Sequence, residues 1–308
     1  MSVLIVGSVA LDTIETPFGQ VEDALGGSAT YAGTAASYFS PVGVVAVVGD
    51  DFPRKHLSYM KRKGIDTAGL QIVKGGQTFR WSGYYSQDLN TAHTRSTCLN
   101  VFESFRPEIP DSYREMKHLL LGNIDPELQL EVLKQARAPR LTLCDTMNFW
   151  ITGKLNELLE VLKRVNVVCI NDGEARQLCN EDNLATAAKE ILKMGPDHVI
   201  IKKGEHGCLL FGRDSVFSAP AYPLKTLKDP TGAGDSFAGG FLGYLAGRRS
   251  LNETVFRQAI VVGTTLASFC CQGFSVTRSG KLKPADIAGR CNAIKDMADF
   301  KRIRLATR

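Results

Sequence analysis

Residues 229–237 read Asp229-Pro230-Thr231-Gly232-Ala233-Gly234-Asp235-Ser236-Phe237 and run on into Ala238-Gly239-Gly240-Phe241-Leu242-Gly243-Tyr244-Leu245. Phe237, Phe241 and Leu245 recur at every fourth position, the spacing of one buried helix face. The spacing predicts a helix over 234–247. Glycine inside a helix costs roughly 1 kcal/mol relative to alanine. Gly239, Gly240 and Gly243 therefore imply close packing, and approach to a sheet is the expected reason. At the helix start, Gly232-Ala233-Gly234 lets successive amides turn toward one point, where the helix end adds roughly half a positive charge. That is a site for a phosphate. A carboxylate beside a phosphate is unfavourable unless it has a task, and Asp235 stands in the same turn. Taking the proton from an attacking hydroxyl is such a task. The competing reading is an acid that only complements the helix dipole.

On either side of this turn, strand and helix patterns run through the chain. Val3-Leu4-Ile5-Val6 and 42–48 are apolar runs suited to strands buried on both faces. Further strands are expected at 118–121, 141–144, 165–170, 198–202, 207–211 and 215–217. Helices are expected at 30–38, from Pro53 to about Lys63, and at 153–164, 174–178, 183–194, 251–271 and 284–297. Another, at 126–136, opens with Asp125 as cap and Pro126 in the first turn. Residues 12 to 25 read as polar and turn-rich. Residues 71 to 105 are rich in Thr, Phe, Trp and Tyr with little helical period, and read as an antiparallel β excursion. Alternation of this kind predicts an α/β fold with a mostly parallel sheet and helices on both faces. Ligands in such folds bind beyond the carboxyl ends of the strands. Asp12, Asp145, Asn171 and Gly204 each follow a predicted strand and are expected to converge there.

Composition narrows the function classes. The chain has 308 residues, 44% hydrophobic and 22% charged, enough for a large core. Lys and Arg number 37 against 32 Asp and Glu, a net +5 spread along the chain without the clustering of a nucleic-acid surface. The basic string Lys301-Arg302-Ile303-Arg304 is expected on the end of a solvated last helix. No run approaches a membrane span, and the N-terminus lacks the pattern of a leader. Eight cysteines without a CxxC pair and five scattered histidines argue for reduced thiols in the cytoplasm and against structural zinc. A phosphate-cradling GxxxxGK[ST] loop is absent, and Gly7 is followed by Ser8-Val9 instead of the dinucleotide fingerprint.

The string 229–237 resembles the C-terminal signature of the ribokinase family, the PfkB-type carbohydrate kinases. Gly26-Gly27 before a small-residue helix is similar to the family's N-terminal signature, and Asn171-Asp172-Gly173-Glu174 to its NxxE element. The resemblance spans essentially the whole chain. It implies a three-layer α/β/α ribokinase-like domain over 1–308, with a small β-sheet lid built from about 13–25 and 71–105. It implies transfer of the γ-phosphoryl of ATP to a hydroxyl of a small sugar, with Mg²⁺. Asp235 would be the catalytic base, and Gly232, Ala233 and Gly234 the anion hole. Asn171 and Glu174 would organise magnesium and its waters. Asp12 would hold substrate hydroxyls, with Gly26, Gly27 and Tyr31 beside it. Lys203, Gly204 and Gly207 would contact the nucleotide. Two departures bear on specificity: Tyr31 stands where many relatives have Asn, and Asp145-Thr146-Met147-Asn148 stands where many have Asp-x-Asn. Tyr31 either stacks on substrate or packs in its helix. With Phe79, Trp81, Tyr84 and Tyr85 in the lid, a nucleoside substrate stays open, as does a non-catalytic sensor. A lid sheet can also pair with its copy in a homodimer.

Overall fold

All four side chains of Val3–Val6 are buried, and they divide between two cores: Val3 and Ile5 join one apolar cluster, Leu4 and Val6 the other. A strand that alternates between two cores lies in the middle layer of three. In the computed structural model, which describes residues 2–301, this strand is β1. The chain leaves it for a hairpin, β2 (Ala10–Thr16) and β3 (Gly19–Gly26), and returns through α1 (Ser28–Ala36) to β4 (Val42–Gly49). Helix α2 (Arg54–Arg62) leads to β5 (Ile65–Val73), and a second hairpin follows, β6 (Arg80–Tyr85) and β7 (Ala92–Cys98). A short α3 (Asp111–Arg114) precedes β8 (His118–Leu121). Alternation then takes over through α4 (Pro126–Gln135), β9 (Leu141–Asp145), α5 (Asn148–Gly153), α6 (Leu155–Leu162) and β10 (Val167–Asn171). It continues with α7 (Asp172–Cys179), α8 (Leu184–Lys193) and β11 (His198–Lys202). The strands β12 (Cys208–Phe211) and β13 (Val216–Ala219) are followed by α9 (Ala233–Ala246), α10 (Glu253–Cys270) and α11 (Pro284–Ala298).

Nine of these strands form one sheet in the order β13-β12-β11-β10-β9-β8-β1-β4-β5, parallel except that β12 runs antiparallel to both neighbours, β11 and β13. Residues of α1, α9 and α10, including Ala32, Phe241 and Ala259, pack on one face. Val132, Leu158 and Ile191 of α4, α6 and α8 pack on the other. The fold is the ribokinase-like three-layer α/β architecture, with a smaller sheet ordered β3-β2-β6-β7 beside it. No helix among the described residues is long and apolar enough to cross a membrane.

Several boundaries differ from the sequence expectations for identifiable reasons. The polar stretch after Asp12 is a two-stranded hairpin whose exposed positions, Glu15, Gln20, Glu22 and Asp23, carry the hydrophilic side chains. The small sheet therefore begins at Ala10, while 71–73 belong to β5 of the large sheet. It is also not wholly antiparallel, since β2 and β6 run parallel. The helix expected at 153–164 is two helices that break at Lys154, the first beginning at Asn148. Phe149 is 62% exposed on it. The glycines of α9 serve helices and not a sheet. A methyl at Gly239 would strike the Ala32 carbonyl, one at Gly243 the Ala36 backbone, and one at Gly240 Leu266 of α10. In the tail, α11 ends at Ala298, and 302–304 lie outside the described residues.

Candidate active site

The turn before α9 is built by its own side chains. Asp229 is fully buried, and its Oδ1 accepts the Thr231 amide at 2.8 Å, folding the chain back after Pro230. Gly232 caps the helix with φ 75°, the left-handed region where a β-carbon is strained. The Tyr31 ring packs directly beneath it, where a side chain on Gly232 would overlap. The Ala233 amide donates to Pro230 O and the Ser236 amide to Gly232 O. The amides of Gly234 and Asp235 have no backbone acceptor among the described residues, and such donors at a helix start suit an anion. Asp235 is half-buried in this first turn. Burial, and then the charge of Asp145, push its carboxyl up to about 7, while Lys202 and its own amide pull the other way.

Asp12 reaches the same cleft from β2. Only 4% of it is exposed, and a methyl at Gly26 would occupy the place of its carboxylate. This explains the first glycine of Gly26-Gly27 by space alone. Burial raises the Asp12 carboxyl to about 7. Asp229 and Asp235 add to the shift by repulsion, against a hydrogen bond from the Gly27 amide. Carboxylates from two other parts of the chain thus act on Asp12. Trp81 of β6 lies opposite Asp12 in the β2–β6 register, and strand alternation puts Tyr85 on the same face as Trp81. Tyr85 closes a link between the small sheet and the turn, accepting a hydrogen bond from Thr231 Oγ1 at 3.1 Å. The other lid aromatics turn elsewhere: Tyr84 stacks on His93 and Phe79 on Phe102.

Tyr31 is 2% exposed in the core, and its hydroxyl is among the buried atoms without a hydrogen-bond partner in the described residues. It supports the Gly232 turn and offers no open face for stacking. Asn171 and Glu174 form a reciprocal capping box on α7. Asn171 Oδ1 accepts the Glu174 amide and Glu174 Oε2 the Asn171 amide, both at 2.7 Å. Glu174 Oε1 makes none of the described hydrogen bonds. Burial drives Glu174 up to about 7, with Lys202 opposing. No three His, Cys, Asp or Glu side chains among the described residues are grouped to hold a bare metal ion. Hydrated magnesium asks for less, an oxygen acceptor and room for its waters, and Glu174 Oε1 fits that requirement.

Gly204 and Gly207 flank a short 3₁₀ turn after β11, both with positive φ, and a methyl at Gly204 would meet Asn90 of the β6–β7 loop. Lys203 makes no described ion pair. The neighbouring lysine is the one at the site: Lys202 Nζ lies 3.5 Å from Asp145 Oδ1, with 18% of the lysine side chain and 7% of the aspartate exposed. Burial alone would lower the lysine, but Asp145, Cys169, Glu174 and Asp235 hold its ammonium charged. Burial raises Asp145, and Lys202 and the Thr146 amide pull it back. Sequence reasoning missed Lys202. The available signal was its place as last residue of a buried strand, one position ahead of the lysine chosen.

A half-buried acid at a helix start, two amides without backbone acceptors and a second carboxylate across the cleft thus come together on a ribokinase-like fold. Residues 2–281 match the model of the pfkB family of carbohydrate kinases, and the chain belongs to that family. Its members are ATP-dependent phosphotransferases acting on a sugar hydroxyl. Among curated relatives, a cytidine kinase of Thermococcus kodakarensis is 31% identical over 262 residues, covering 83% of this chain and 92% of that protein. A ribokinase of Lactococcus lactis is 23% identical over 88% of this chain and 92% of its own length. Among solved structures, the nucleoside kinase of Methanocaldococcus jannaschii superposes with a TM-score of 0.77 at 21% identity, covering 95% of this chain and 98% of that one.

Proposed function

We propose that the chain transfers the γ-phosphoryl of ATP to a hydroxyl of a small sugar, free or as the ribose of a nucleoside, with Asp235 as general base. The observation that carries this reading is the half-buried Asp235, raised to about 7, in a helix start where the Gly234 and Asp235 amides have no backbone acceptor. A base poised near neutral pH takes a proton efficiently and still exists as carboxylate. Gly232, Ala233 and Gly234 form the cradle for the phosphoryl group. Asp12 accepts hydrogen bonds from acceptor hydroxyls and orients the sugar toward Asp235, with Gly26 and Gly27 making room for it. Gly204 and Gly207 present backbone to the nucleotide. Asn171 and Glu174 would hold hydrated Mg²⁺, which when bound neutralises phosphate charge. The small sheet acts as a lid on a single domain, its main segments Ala10–Gly26 and Arg80–Cys98. The setting is the cytoplasm, in keeping with an ATP-consuming enzyme whose eight cysteines are free thiols.

The nucleoside reading has its own support. Trp81 stands on the cleft side of the lid beside Asp12, where an aromatic surface can take a base, and the cytidine kinase relative covers most of the chain. An ADP-release assay across free pentoses, hexoses, keto-deoxy sugar acids and nucleosides tests both. Turnover on a nucleoside and none on its free sugar selects the nucleoside. ADP release with no member of the panel would defeat the reading.

Tyr85→Phe tests the lid contact. Losing one neutral hydrogen bond costs about 0.5–1.5 kcal/mol, so kcat/KM is expected to fall by about 2–10-fold, mostly through KM for the acceptor. Unchanged kinetics would mean that the Thr231 contact does not help close the lid.

A further inference from the structure

Gly234 poses a question that the turn itself does not answer. It sits within α9 and lacks the positive φ of Gly232, so its backbone needs no glycine. A methyl there would come within 3.0 Å of Lys202 Nζ. The glycine makes room for an ammonium group, which therefore sits against the first turn of α9 at Gly234. Lys202 ends β11 directly beside Asn171 of β10 in the sheet register. It thus stands between the Asn171–Glu174 pair and the start of α9. A mostly buried cation is costly unless paired, yet its one described hydrogen bond, to Asp145, is at the long limit of 3.5 Å. The ammonium has three donors, so it can serve another acceptor without giving up Asp145.

We propose that Lys202 is a catalytic residue whose ammonium contacts the non-bridging oxygens of the transferred phosphoryl group, with Asp145 as the residue that positions it. This rests on the kinase reading above. In the step, the acceptor oxygen bonds to the γ-phosphorus and the bond from that phosphorus to the β-phosphate oxygen breaks. Its electron pair leaves with ADP, and the acceptor proton passes to Asp235. Lys202 keeps all its protons and neutralises charge on the phosphoryl oxygens throughout. A lysine suits this as a compact point charge, and phosphoryl transfer depends on such electrostatic stabilisation because the protein does little covalent chemistry.

Calorimetric titration with Mg·AMP-PNP and Mg·ADP reads the contact without needing the acceptor. Lys202→Met is expected to lose about tenfold or more in AMP-PNP affinity, the scale of a charge-assisted hydrogen bond, and to bind ADP as the wild type does. Lys202→Arg should recover part of the loss. Because Lys202→Met leaves Asp145 buried and unpaired, Lys202→Met/Asp145→Asn supplies a neutral version, and it should show the same selective loss. Equal losses for both nucleotides, or none, in the neutral double variant would overturn the proposal. Asp235→Asn separates the two ideas, since it should keep the AMP-PNP preference. A wild type that binds neither nucleotide would overturn the kinase reading and this proposal with it.

Discussion

Asp235→Asn is expected to lower kcat by about 10²–10⁴-fold, the range of a lost general base, while ATP still binds. Asn keeps the shape of the side chain and its place in the first turn of α9 but cannot take the acceptor proton. The wild type should gain activity as pH rises through about 7, where Asp235 ionises. The groups that set this limb are Asp145, which raises it, and Lys202, which lowers it; Asp12 feels the charge of Asp235 in return. Stability carries the opposite sign. A carboxyl near 3.8 when unfolded and about 7 when folded favours the folded protein in acid, and that benefit fades as pH rises through about 7. The Asn variant has no such proton to lose. Its melting temperature relative to wild type should therefore climb between acid and mildly alkaline buffer. An acid that only complemented the helix dipole would behave the other way, losing about 0.3–1 kcal/mol of stability on replacement and no rate. Turnover profiles and thermal melts across pH decide between them, and near-wild-type turnover in the Asn variant would end the base assignment.

The parts of the site readable from sequence are those whose chemistry is local. The turn at 229–237 shapes itself through Asp229, Thr231 and Gly232, and the capping box at Asn171 and Glu174 needs only its own four residues. The interior of the large sheet was equally readable, because strands buried on both faces are continuous apolar runs, whereas the half-exposed edge strand β5 was not. What stayed hidden depends on partners far away in the chain. Lys202 and Lys203 are indistinguishable until β11 is set beside β10 and α9. Tyr31 could be assigned to substrate or core until Gly232 was found above its ring. The glycines of α9 pointed correctly to close packing, but one helix's sequence does not say whether helix or sheet lies opposite. The hairpin of β2 and β3 was hidden for a different reason: its exposed residues are polar, and polarity alone reads as loop.

Gly232→Val is expected to remove activity by at least about 10²-fold, the scale of losing a preorganised oxyanion donor. Two independent effects act together. A β-branched residue resists φ 75° and costs roughly 1–3 kcal/mol if forced there. Its side chain would also drive into the Tyr31 ring, which is buried and has no room to retreat. The turn relieves both by shifting, and a shift moves the amides of Gly234 and Asp235 off the phosphoryl group. Positioning alone is worth orders of magnitude in such reactions, so the rate should suffer more than the fold. Gly234→Ala is the informative comparison. Its φ is ordinary, and the added methyl meets only the flexible end of Lys202. It should cost less than Gly232→Val, and the loss should follow the phosphoryl contact of Lys202. Circular dichroism confirms that each variant is folded, and kcat/KM is then compared between them. If folded Gly232→Val keeps wild-type kcat/KM, the turn does not hold the phosphoryl group. If Gly234→Ala is the more damaging of the two, the ammonium outweighs the amides in the cradle.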